Sequence, residues 1–108
     1  MAPTPLLFGY VRLREPGGSQ HVPRLRKQLR DYAAREGYTL AEILVEHDRG
    51  GSSAFAGLLD LIERYPGSRA IVPSLDHLAE LPGLRHAMRD LIQRETGRPV
   101  LVADEATS

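Results

Sequence analysis

The 108-residue chain contains no cysteine. That excludes a disulfide scaffold and a thiolate metal site. No apolar run approaches the roughly 18 residues of a membrane span. Residues 1–7 carry no charged stretch of the kind that opens a signal peptide. Net charge is missing as well, with 14 Lys and Arg against 14 Asp and Glu. A strongly basic DNA-wrapping protein is thereby excluded for the chain as a whole, and so is an acidic disordered tail. Lysine is nearly absent, Lys27 being the only one. Neither an internal repeat nor a low-complexity stretch is visible. The expectation is a soluble cytoplasmic protein with no membrane partner. What is present is ordinary: 42% hydrophobic residues, enough for one small core. A single domain over residues 1–108 is expected, with an ordered core from about 6 to 103 and a tail at 104–108.

Four short apolar runs alternate with helical patterns. Leu6 to Leu13 reads as a buried strand, followed by turn residues from Glu15 to Ser19. Leu25, Leu29, Tyr32 and Ala33 then share one helical face, and Gly37 sits where a left-handed C-cap would stop it. Leu40 to Glu46 is a second strand, and His47 to Ser53 a polar loop. Ser52 or Ser53 is the expected N-cap of a helix facing inward through Phe55, Leu58, Leu59, Ile62 and Tyr65. Ala70 to Val72 is a third strand. Leu75 to Leu81 is expected to make one or two helical turns closed by Pro82. Leu84, Met88, Leu91 and Ile92 mark a last helix stopped by Gly97, and Pro99 to Val102 a fourth strand. This alternation implies an α/β fold, a mostly parallel sheet covered on both faces. Ligands in such sheets gather at the carboxyl ends of the strands. Here those ends are Arg14-Glu15, His47 to Ser53, Ser74 to His77, and Asp104.

The usual chemical motifs are not met. Pro16-Gly17-Gly18-Ser19 and Gly50-Gly51-Ser52-Ser53 lack both dinucleotide and P-loop spacing. Ordinary turns and an N-cap account for them better than an anion cradle does. His21, His47, His77 and His86 show no i, i+4 pair, so no metal and no cofactor is expected. None of the serines stands in a G-x-S-x-G elbow. The first helix is basic, through Arg24, Arg26, Lys27, Arg30 and Arg35. A local patch there can bind phosphate despite the neutral total, Arg26 and Arg30 being the candidates. A solvated helix face explains the same residues.

Several of these segments together resemble the catalytic domain of the serine recombinases, the resolvase/invertase family. Phe8 to Arg14 resembles the opening strand, which in the family reads aromatic-x-Arg-Val-Ser with serine as nucleophile. Leu29 to Tyr38 is similar to the first helix and its exit. Asp48-Arg49-Gly50-Gly51-Ser52-Ser53 is similar to the Asp-x-x-Ser-Gly loop. Gly57-Leu58-Leu59 follows where the family has Arg-Pro-Gly-Leu. Ser74-Leu75-Asp76-His77-Leu78 resembles Leu-Asp-Arg-Leu. The resemblance spans about Leu6 to Val102. It implies a three-layer, flavodoxin-like fold of four to five strands in order 2-1-3-4. In the family the serine attacks a DNA phosphodiester, and arginines stabilise the developing charge.

The departures concern the chemistry. Arg14 stands at the nucleophile position and cannot form a phosphoester. Phe55, His77 and Glu80 stand where the family has arginines, leaving Arg12 and Asp76 as the retained identities. Those two would lie on neighbouring strand ends, where a structural ion pair explains them as well as a phosphate site does. No counterpart of the dimer helix or helix-turn-helix follows Val102, so sequence-specific groove reading is not expected. The resulting expectation is a catalytically inactive, resolvase-like module with an interaction, regulatory or accessory role. Its allowed partners are a protein, a second copy of the chain, or weakly bound DNA. Two alternatives stay open. One is a DNA recombinase with Ser52 or Ser53 as a displaced nucleophile. The other is a non-specific nucleic-acid binder using the first helix. Candidate binding residues are Arg12, Arg14, Asp76, Arg26 and Arg30.

Overall fold

A computed structural model describes residues 4–13, 21–47, 53–79 and 81–104. Its elements run β1 (Leu6–Arg12), α1 (Val22–Glu36), β2 (Thr39–Glu46), α2 (Ser53–Arg64), β3 (Arg69–Val72), a 3₁₀ turn (Leu75–His77), α3 (Pro82–Thr96) and β4 (Leu101–Val102). The four strands form one sheet in the order β2-β1-β3-β4. Every pairing is parallel. Four is the strand count among the described residues, the lower end of the expected range.

The central strand β1 divides its side chains by the two-residue period of a pleat. Leu7, Val11 and Leu13 join Leu29 and Ala33 of α1 on one face. Phe8 and Tyr10 join Phe55, Leu58 and Ile62 of α2, with Met88 and Ile92 of α3, on the other. Both faces of β1 are buried, which explains its continuous apolar run. Gly9 lets α1 approach closely. A Cβ added there would lie 2.8 Å from Leu29 Cδ1 and 3.2 Å from Ile43 Cγ1.

The helix stops follow backbone chemistry. Gly37 ends α1 at φ 81°, and Gly97 ends α3 at φ 74°. A side chain is strained in that left-handed region.

Four expectations need correction. Tyr65, expected on the inward face of α2, lies just past the end of that helix and is 46% exposed. Pro82 does not close the preceding turn; it opens α3, with Leu81 extended before it at ψ 127°. Proline has no amide to leave unpaired in a first helical turn, and it forces its predecessor out of the helical region. Leu84, expected on the buried face of α3, is 53% exposed beside Leu81 at 68%, because the packing against the sheet begins deeper, at Met88 and Ile92. Ser53 lies inside α2 rather than capping it; Ser52 lies outside the described residues. At the other end of the chain, Ala103 is buried and the Asp104 amide donates to the Pro73 carbonyl at 3.0 Å.

Candidate functional site

The carboxyl ends of β1, β2 and β3 converge on a buried polar network. Tyr10 and Arg12 are two apart on β1 and so face the same side of the sheet, toward α2. Glu46 ends the neighbouring strand β2, where Arg12 pairs with it in register. All three are buried, with Arg12 6% and Glu46 2% exposed. The Tyr10 hydroxyl donates to Glu46 Oε2 at 3.1 Å. It accepts from Arg12 Nη2 at 2.9 Å, so both roles of the hydroxyl are used. Arg12 Nη2 also donates to the Leu78 carbonyl at 3.3 Å. The guanidinium carbon lies 5.9 Å from the Tyr10 ring centroid, within range of a cation–π attraction. The Phe55 ring closes the other side of Tyr10, edge-on at 5.6 Å.

Glu46 performs the task expected of a serine. Its Oε2 accepts the backbone amides of Ala54 at 3.0 Å and Phe55 at 3.2 Å. These are orphan donors in the first turn of α2. A negative charge there also complements the helix dipole. Ser53 Oγ donates to Glu46 Oε1 at 3.4 Å. The anion at this helix N-terminus is therefore supplied by the protein itself.

His77 occupies the remaining corner. Its Nδ1 accepts the backbone amide of Arg12 at 3.1 Å. Accepting at Nδ1 requires a lone pair there, which leaves Nε2 to carry the ring proton. Next to it the Ser74 hydroxyl donates to Asp76 Oδ1. Arg12 thus stands at the end of β1 and Asp76 in the 3₁₀ turn that follows the adjacent strand β3, while Phe55 is buried on the sheet-facing side of α2. Arg14 and Glu80 lie outside the described residues. Burial raises the Tyr10 phenol far above its ordinary value; the Arg12 charge opposes the rise, and Glu46 adds to it. The phenol is thereby held protonated, as its bond to Glu46 requires.

Arg26 and Arg30 do not belong to this network. They are exposed on α1 and line a separate groove beside β2. Among the described residues, no three His, Cys, Asp or Glu side chains are grouped as metal ligands. No helix among them is long and apolar enough to cross a membrane.

Tyr10 and Glu46 were missed in the sequence. The signal for Tyr10 was its two-residue offset from Arg12 on a strand. Glu46 carried a subtler one: a carboxylate at a strand end, just ahead of a helix start.

This architecture is a three-layer α/β sheet in resolvase-like order. It is similar to the C-terminal catalytic domain of ISC1926 TnpA, an IS607-like serine recombinase, at TM-score 0.75 and 18% identity over 91% of this chain and 68% of that one. The likeness establishes a resolvase-like fold. No family model and no curated protein matches the sequence.

Proposed function

We propose that this chain is a non-catalytic, resolvase-like domain that works by binding a partner in a regulatory or accessory role. The observation that carries this reading is the internal commitment of Arg12. Its guanidinium is buried and bonded to Tyr10 and Leu78. A phosphate would have to displace those bonds and enter a site closed by Phe55 and Leu78. Arg14 at the resembled nucleophile position supports the same reading, because a guanidinium cannot carry a phosphoryl group. Incubation with supercoiled plasmids carrying randomised inserts should leave the DNA unnicked and free of covalent protein. A protease-sensitive adduct would refute it.

One contact favours a second reading. Ser53 Oγ lies 3.4 Å from the Glu46 carboxylate, a geometry in which a base can take a hydroxyl proton. In that reading Ser53 attacks a DNA phosphodiester and is the displaced nucleophile of a recombinase. Glu46 is already committed to two helix amides and to Tyr10, a structural engagement that disfavours this role. An adduct lost in Ser53→Ala and retained in Arg14→Ala would establish it.

A further inference from the structure

The groove beside β2 has a composition and a backbone edge that the strand-end network does not use. It measures about 610 Å³ and runs between α1 and β2. Its apolar surface comes from Ala33, Leu40 and Ile43, and its rim from Arg26 and Arg30. β2 is the outer strand of the sheet, eight residues long, while the opposite edge strand β4 has two. The Glu46 carbonyl points inward and accepts the Leu13 amide. Backbone groups alternate in direction along a strand, so Val45 and Ile43 direct their amides and carbonyls to the open edge.

Charge on α1 is distributed unevenly. Lys27 pairs with Asp31 at 2.9 Å, and Arg35 lies 3.8 Å from Glu36. Arg26 and Arg30, one turn apart on the groove side, make no ion pair among the described residues. Like charges at that spacing oppose the helix rather than support it. Glu42 also lines the groove, so two guanidinium groups stand there against one carboxylate and a positive excess remains.

We infer that the β2 edge and the Arg26–Arg30 rim form a docking site for an extended acidic peptide, which adds as a further strand beside β2. An open strand edge offers a row of amides and carbonyls that another polypeptide backbone completes. The spacing fits as well. Four residues of helix rise about 6 Å. Same-face residues two apart on a strand are separated by about 6.6–6.8 Å. Carboxylates at i and i+2 of the added strand therefore meet Arg26 and Arg30 together. A nucleic acid would use the same charges but leave the strand edge unpaired, and Tyr38 is the one aromatic side chain in the groove. The inference stands whether or not the strand-end network is catalytic.

The test uses the full chain and a fluorescein-labelled peptide, Thr-Val-Glu-Val-Glu-Val-Thr, with a lysine-for-glutamate version and an oligothymidine as comparisons. The acidic peptide should bind saturably and slow hydrogen exchange at the Ile43 and Val45 amides. The Arg26→Glu, Arg30→Glu double variant should bind it at least tenfold more weakly and prefer the lysine peptide, with an unchanged circular dichroism spectrum. Three results would each overturn the inference: equal binding by the variant, no added protection at Ile43 and Val45, or tighter binding of oligothymidine than of the acidic peptide. Absence of saturable peptide binding would do the same.

Discussion

Replacing Glu46 by alanine should be among the most damaging single changes in this chain. The carboxylate accepts the Tyr10 hydroxyl and the amides of Ala54 and Phe55 at 3.0–3.2 Å in a site 2% exposed. Truncation leaves two buried donors and one half-buried donor, the Ala54 amide, without their acceptor. A buried donor stripped of its partner costs about 1–3 kcal/mol. Taken near the lower end for each donor, the loss is about 3–5 kcal/mol. Glutamine keeps one carbonyl where Oε2 now sits and gives up the charge. Its cost should be about 1–2 kcal/mol, from weaker bonds and the lost helix-dipole attraction. Denaturant unfolding followed by circular dichroism measures both. In a domain of this size the alanine variant should melt about 12 °C or more below the wild type. An alanine variant within 1 kcal/mol of the wild type, or one more stable than the glutamine variant, would refute the reasoning.

Other consequences are smaller or of opposite sign. Gly9→Ala should cost about 1–3 kcal/mol through its clash with Leu29; adding Leu29→Ala should then cost less than it does in the wild type, as a double-mutant cycle would read. Ser68→Ala should be neutral or stabilising in thermal unfolding, because the Ser68 hydroxyl is buried with no hydrogen-bond partner. Alkaline titration should find the Tyr10 phenol resisting ionisation while the fold is intact. The fold holds the Tyr10 proton more tightly than the unfolded chain does, so its stabilisation is full below the ordinary value of 10.0 and is lost as pH rises above it. Tyrosinate absorbance from Tyr10 should therefore appear only with unfolding, and a Tyr10→Phe variant should lose that coupling.

Much of the fold was legible because it rests on local patterns. The apolar runs of β1 and β3, the helical face of Leu25, Leu29 and Ala33, and the glycines that stop α1 and α3 each announce themselves within a few residues. The strand order came from the resemblance rather than from periodicity. What stayed hidden was set by distance in space. Leu84 has the spacing of a core residue, yet it lies 53% exposed in the first turn of α3. Pro82 fits either the end of one element or the start of the next until the backbone of Leu81 is seen. The candidate site was half visible. Arg12 and His77 were marked by the resemblance, but their partners Tyr10, Leu78 and Glu46 are brought to them by the sheet. An arginine at a strand end reads as an exposed ligand for phosphate. Burial against Tyr10 changes its meaning, and only the packing of α2 over the strand ends reveals that.

The central claim is that the Arg12 guanidinium is held by the protein's own groups and does not meet an outside phosphate. Side-chain nitrogen NMR of Arg12 during titration with inorganic phosphate, and then with duplex DNA, tests it directly. The account predicts slowly exchanging Arg12 guanidinium signals whose shifts stay fixed throughout. Saturable movement of those signals, matched by a change at the Tyr10 hydroxyl, would contradict it.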